Sequence, residues 1–283
     1  MDTATARALI ALNNSFYSQH TASFSSTRSA PWDGWKRLVD VLRSCGWGDV
    51  DTNNKARTVL DLACGNLRFE QFLTSAFLGE KDAIESRTAG ERHTDSPLTF
   101  HAVDCCPALV DTDTLHSRSI VYHEVDILER YCNHADPLGG ISVCDLSVCF
   151  GFMHHVPGVD LRKQVLSDLL AHTKAHGLVV ISFWQFMHDE RLARKALQAD
   201  EIAQRKDFGA DADPPFNPTH LDENDHFLGW QSDSNPLRYC HHFSETEIDE
   251  LVASMGADVR ERERYSADGA SGNLNRYLVL EKL

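Results

Sequence analysis

The chain has 283 residues, 42% of them hydrophobic, and a formal net charge of −15. That length and apolar content suit one large domain, or one domain with an inserted cap, that buries its own core without staples. So acidic a balance repels polyphosphate unless basic side chains gather on one face, and it weighs against nonspecific nucleic-acid binding. Cysteines at 45, 64, 105, 106, 132, 144, 149 and 240 form no C-x-x-C pair, and several lie in apolar runs where a reduced thiol packs as a small hydrophobe. With no segment patterned like a signal peptide and no apolar run near the roughly 18 residues that span a bilayer, the expectation is a soluble, cytoplasmic protein with no membrane partner.

In chain order, Asp33 is placed to cap a helix with Trp35, Leu38, Val39 and Leu42 on one face and Gly46 at its end. Arg28, Lys36, Arg37 and Arg43 form a local basic group around it. Thr58 to Leu62 then reads as a buried strand that runs into a tight turn at Ala63, Cys64 and Gly65 and opens a helix whose face is Phe69, Phe72, Leu73, Ala76 and Phe77. A strand, turn and helix of this kind hold a nucleoside in open α/β sheets. The dinucleotide fingerprint needs three glycines at fixed offsets and this turn has only Gly65, so a dehydrogenase is disfavoured.

Residues 79–97 read as a polar surface insertion. Leu98 to Asp104 is a second strand ending in an acid, placed to accept hydrogen bonds from ribose hydroxyls, and the insertion explains its long separation from Asp61. Ile120 to Asp126 is a third strand with a terminal acid. Asp145 to His155 reads as a fourth strand entering a loop, followed by a helix with Leu161, Val165, Leu166, Leu169 and Leu170 on one face, and Gly177 to Trp184 as a fifth strand. Residues 185–243 interrupt the pattern with a charged helix, a second basic group (Arg191, Arg194, Lys195, Arg205, Lys206), a Pro- and Asp-rich loop and an aromatic, histidine-rich stretch. Ser244-Glu-Thr-Glu247 is a capping box for a helix bearing Ile248, Leu251, Val252 and Met255, and two strand-like segments, 259–265 and 276–282, close the chain.

The turn at Asp61, Ala63, Cys64 and Gly65 resembles the first motif of class I S-adenosylmethionine-dependent methyltransferases, with Ala63 and Leu67 standing where glycine is commoner. The resemblance covers about 57–183 and 244–282. It implies an α/β, Rossmann-like fold: a seven-stranded, mostly parallel sheet with helices on both faces and an antiparallel last strand. It also implies S-adenosyl-L-methionine as cofactor, with Asp126 on the adenine amino group and Ile127 beside the ring. The expected cofactor set is Tyr17, Arg28, Asp61, Ala63, Gly65, Asp104, Cys105, Asp126, Ile127 and Phe150. The matching domain plan is an N-terminal lid and covering helix at 1–56, a cofactor core at 57–184, an inserted substrate cap at 185–243, and a closing helix and strands at 244–283.

A narrower resemblance rests on Tyr17, Phe24, Thr27-Arg28 and Pro31-Trp32 ahead of the core, His154-His155 after the fourth strand, Trp184 at the end of the fifth, and Arg238-Tyr239 followed by His-His-Phe. These look like the tRNA wobble-uridine carboxymethyl methyltransferases. That implies methyl-ester formation on a 5-carboxymethyl group of uridine, and a small activating protein partner as in eukaryotic members. On this reading Arg28, His154, His155 and Arg238 are the catalytic candidates, since a carboxylate acceptor needs orientation by cations and donors rather than a base. Trp32, Trp184, Tyr239 and His241 are the substrate contacts, the aromatic ones as platforms for a base. Cys240, His241 and His242 lack further ligands at plausible spacing, so no metal is expected. Two alternatives stay open: a methyltransferase for a small-molecule carboxylate, hydroxyl or amine, and a silent module that only binds the cofactor. Basic groups ringing the acceptor pocket favour RNA; an enclosed apolar pocket favours a metabolite.

Overall fold

A computed structural model describes residues 1–26, 30–48, 56–78, 98–110, 119–204, 218–230 and 233–283. The strands of its central sheet are β1 (Arg57–Leu62), β2 (Leu98–Asp104), β3 (Ile120–Glu124), β4 (Cys144–Cys149), β5 (Thr173–Trp184), β8 (Val259–Ala267) and β9 (Asn275–Lys282). They lie in the order β3-β2-β1-β4-β5-β9-β8. Strands β1 to β5 pair in parallel, and β9 inserts antiparallel between β5 and β8. The order reverses between β1 and β4, and such a switch point leaves a crevice at the carboxyl ends of the strands. The expected sheet, with its antiparallel last strand, is the one observed.

The helices follow from their apolar faces. On α2 (Asp33–Ser44), Trp35, Leu38, Val39 and Leu42 are buried and pack with β1, β4 and β9 residues and with Phe69 and Leu73 of α3 (Arg68–Leu78). Helices α4 (Ile127–Cys132), α5 (Val159–Ala171) and α7 (Glu245–Ser254) cover the opposite side through Ile127, Leu166, Leu169, Ile248 and Leu251. Asp33 does not cap α2: Trp32 holds the N-cap position without a side-chain bond, and Asp33 lies inside the first turn paired with Lys36 at 2.7 Å. Gly46 does end it, at φ +79°.

Outside the sheet, α1 (Thr3–Ser26), α6 (Glu190–Ala203) and a hairpin of β6 (Asp225–Trp230) and β7 (Asp233–His241) pack on one another through Ala8, Leu9, Ala199, Ala203, Phe227, Leu237 and Tyr239. Asn13 of α1 bonds both backbone groups of Tyr239: its Oδ1 accepts from the amide at 2.8 Å, and its Nδ2 donates to the carbonyl at 3.2 Å. The long N-terminal helix is thereby tied to the hairpin across the mouth of the sheet crevice. The expected insertion at 79–97 lies outside the described residues.

Half of the expected capping box forms. Ser244 Oγ accepts from the Glu247 amide at 3.1 Å, but the Glu247 carboxylate turns to Arg162 (2.8 Å) and to His241 Nε2 (2.7 Å). Asp225 completes this buried cluster, 2.7 Å from His241 Nδ1, 2.7 Å from the Tyr239 hydroxyl and 3.5 Å from Arg162. One hairpin and two core helices, α5 and α7, therefore meet in a buried set of charges whose members satisfy one another.

Candidate active site

The carboxyl ends of β1 to β5, roofed by α1 and β7, enclose a cavity of about 760 Å³. That is large enough for a nucleoside cofactor and an acceptor group together. At its floor the backbone alternates into the left-handed region at Ala63 (φ +64°), Gly65 (φ +58°) and Leu67 (φ +59°). These are the positions where glycines commonly stand in the motif, and the conformation persists although only one of them is glycine. A left-handed L-residue costs roughly 1 kcal/mol or more, so the surroundings hold the turn. Ala63 and Cys64 donate their amides to Val103 O at 2.8 and 3.1 Å. The Asp104 carboxylate accepts from the Gly65 amide and the Cys106 amide, each at 2.9 Å. A Cβ at Gly65 would meet nothing within 4 Å, so the turn leaves open space toward the cavity.

Asp61, Ala63, Gly65, Asp104, Cys105, Asp126, Ile127 and Phe150 all line this cavity, as do Tyr17 and Trp32 from the N-terminal segment. Arg28 lies outside the described residues. Asp126 also works for the fold: Oδ1 caps α4 through the Glu129 amide at 2.9 Å, and Oδ2 accepts from Asn14 Nδ2 at 2.8 Å. Asn13, Asn14 and Ser18 line the cavity too and are absent from the sequence-based set, although Leu9, Ile10, Asn13, Phe16 and Tyr17 recur at helical spacing.

Another part of the cavity wall is built from His154, His155, Trp184 and Arg238. The Tyr17 hydroxyl is 2.7 Å from His155 Nε2 and accepts from Arg238 Nη1 at 3.4 Å. His155 Nδ1 faces both the Tyr239 carbonyl (3.1 Å) and Asn13 Nδ2 (3.2 Å), and the His154 ring stacks obliquely between His155 and Trp184. Arg238 is 7% exposed and boxed by Phe16, Trp230 and Trp184, with ring centroids 5.3, 5.3 and 5.8 Å from its guanidinium carbon. Its Nε has no hydrogen-bond partner, and no carboxylate among the described residues lies within ion-pairing distance of it. Arg68, the other arginine on the lining, lies over the Trp32 and Trp35 rings.

Two expected substrate contacts are corrected. Tyr239 and His241 do not line the cavity, because side chains alternate along a strand: Arg238 faces the cavity, and its neighbours turn to Arg162, Asp225 and Glu247. Nor do the described members of the basic groups ring the pocket. Lys36, Arg37 and Arg43 pair with Asp33, Glu263 and Asp40, and Arg191, Arg194 and Lys195 lie on the outer face of α6. His154, His155 and Cys240 place ligand-type atoms within 4.8 Å of one another. Both His155 nitrogens already face protein partners, and burial pushes the Cys240 thiol up to about 11.

A further acid had no signal in the sequence. Glu70, on the first turn of α3, is fully buried behind Asp61, with no hydrogen-bond donor to either oxygen among the described residues. Burial first, and then the Asp104 charge, push its carboxyl up to about 8, and burial with the adjoining Glu70 raises Asp61 well above the usual carboxylate range. The folded state thus binds this proton more tightly than the unfolded chain, whose carboxyl titrates near 4.5. The resulting stability is fully present below that value and is lost as pH rises through about 8. Glu70→Gln is accordingly expected to change stability little at pH 5 and to gain a few kcal/mol by pH 9, since each tenfold difference in proton affinity between the folded and unfolded chain is worth about 1.4 kcal/mol. Urea unfolding at both pH values checks this, and equal gains at both would contradict it.

No protein-family model matches the chain, and no curated protein matches it in sequence. Solved structures do. A magnesium protoporphyrin IX methyltransferase from Synechocystis PCC 6803 with bound S-adenosylmethionine superposes over 100% of this chain and 98% of its own, at 11% identity and a TM-score of 0.51. Its complex with S-adenosylhomocysteine matches over 88% and 81%, at 12% identity and a TM-score of 0.50. The fold is that of the S-adenosylmethionine-dependent methyltransferases. A methyltransferase of Methanosarcina mazei matches over 82% of this chain and 94% of its own, at 13% identity and a TM-score of 0.49.

Proposed function

We propose that this chain is a methyltransferase that uses S-adenosylmethionine to esterify a carboxylate, and that the carboxylate belongs to a 5-carboxymethyl uridine at the tRNA wobble position. The cofactor fits the cavity floor: the turn at Gly65 leaves space a Cβ would fill, and Asp104, half-used in holding that turn, keeps lone pairs for ribose hydroxyls. Asp126 and Ile127 would receive the adenine, and Asp61 the amino-acid end. The cofactor supplies an electrophilic methyl group on a sulfonium.

Arg238 carries the carboxylate part of this assignment, and the wobble-uridine part rests on the sequence resemblance alone. A buried guanidinium without a counter-ion is costly, and aromatic faces at 5.3 to 5.8 Å offset only part of that. An acceptor carboxylate supplies the missing charge. Arg238 would hold one of its oxygens, the Tyr17 hydroxyl would offer a second donor with His155 behind it, and Trp184 would keep water away. An ionised carboxylate then needs only orientation along the line of attack. A small-molecule carboxylate is the second reading, favoured by the absence of basic side chains from the described cavity lining other than Arg68 and Arg238 and the histidines His154 and His155.

The test is methyl transfer to an anticodon stem-loop carrying 5-carboxymethyluridine, beside the unmodified stem-loop and a pool of small carboxylic acids. A base-labile methyl group on the modified stem-loop alone is the expected product; labelling of the small acids alone moves the assignment to the second reading. Arg238→Met is expected to lower kcat/KM roughly 100-fold, about 3 kcal/mol, while the cofactor Kd is unchanged. Transfer that survives this substitution would remove Arg238 from the acceptor site.

A further inference from the structure

The Asp61 and Glu70 carboxyls adjoin, and among the described residues no cation faces either of them. Asp61 lies on the cavity lining at 2% exposure and Glu70 is sealed behind it at 0%. The titratable groups that face them are an acid and thiols: Asp104 from β2, Cys64 from the turn and Cys149 from β4. Both thiols are held far above their usual range by burial, so they stay neutral. Arg68, on the same helix, gives its guanidinium to the Trp32 and Trp35 rings. Two adjoining carboxyls in a dry site cannot both ionise, and one proton stays between them.

We propose that Asp61 and Glu70 share one proton in the cofactor-free protein and release it to solvent when a ligand bearing an ammonium group enters the cavity, so that Glu70 makes cofactor binding proton-linked and selective for the amino-acid end. The inference rests on the cofactor reading above. Charge balances: the pair passes from one negative charge to two as the proton leaves, and the incoming ammonium offsets the second. A nucleoside with the same adenosine but no amino-acid end gives the pair no reason to ionise.

Calorimetry of the full chain at pH 6.5, in buffers of different ionisation enthalpy, counts the protons. The probes are S-adenosylhomocysteine and 5′-methylthioadenosine. At this pH the ligand's own amine, with a pKa near that of an α-amino group (about 8), changes little. We expect about half a proton or more released with S-adenosylhomocysteine and close to none with 5′-methylthioadenosine. The affinity for S-adenosylhomocysteine should rise several-fold between pH 5.5 and 7, and Glu70→Gln should abolish both the release and the rise. Equal proton release for the two probes, or release unchanged in Glu70→Gln, overturns the inference. Should that variant fail to fold, the two probes on the unaltered chain still decide it. If neither probe binds, the cofactor reading falls, and this inference with it.

Discussion

Asp104→Ala is expected to weaken S-adenosylhomocysteine binding by about 2–4 kcal/mol, a loss of roughly 30- to 1,000-fold in Kd. The carboxylate has two jobs. Its oxygens accept from the Gly65 and Cys106 amides at 2.9 Å, and so pin the turn after β1 to the end of β2. It also stands on the cavity wall where ribose hydroxyls would be read. Alanine removes the ligand contacts and leaves the Gly65 amide without its partner, in a turn that already carries Ala63 and Leu67 in the left-handed region. Asp104→Asn separates the two effects, because its amide oxygen can still accept from Gly65. It should keep the Gly65 bond, turn its NH2 against the Cys106 amide and lose the charge, with an intermediate Kd. Titration calorimetry of both variants checks this, and unchanged affinity in Asp104→Ala would mean that the ribose is held elsewhere.

Arg162→Met should cost about 3–5 kcal/mol of stability, the loss characteristic of breaking a buried charge network on one side. Arg162 is 2% exposed and donates to the Val156 carbonyl (3.0 Å), Glu247 (2.8 Å) and the Tyr239 hydroxyl (3.1 Å), with Asp225 at 3.5 Å. Methionine fills similar space but leaves the Asp225 and Glu247 charges without an arginine, facing His241 and, at Asp225, the Tyr239 hydroxyl. Because Asp225 and Tyr239 belong to the hairpin while Arg162 and Glu247 belong to the core, the loss should first loosen the hairpin. Tyr239→Phe, which deletes one hydroxyl and leaves the charges paired, should cost less, about 2 kcal/mol. Denaturant unfolding of both variants tests the ranking. A loss in Arg162→Met no larger than that in Tyr239→Phe would show that the network contributes packing and little electrostatics.

What the chain determines by itself is the local grammar of the cofactor end. Apolar periodicity, one glycine and acids at the ends of β2 and β3 are short-range signals, and they locate Asp61, Gly65, Asp104 and Asp126 together with the strands that carry them. The part of the cavity proposed for the acceptor is legible in part: Arg238, His154, His155 and Trp184 do converge, although Tyr239 and His241 do not. Adjacent residues on a strand cannot serve one cavity, and the face that β7 presents depends on a register with β6 that no local pattern reveals. The sequence suggests Tyr17, on the helix that forms the roof, as a cofactor contact; the folded chain puts it on the cavity lining with its hydroxyl at His155 and Arg238. Only the folded chain decides which charges are buried without partners. Glu70 looks like an ordinary acid in the first turn of a helix, favoured there by the dipole. It becomes a proton-holding acid because β1 and β2 bring Asp61 and Asp104 against it and exclude water. The same desolvation leaves Arg238 in need of an anion and gives Arg162 its carboxylates, for burial is a property of the assembled layers, and no single segment carries it.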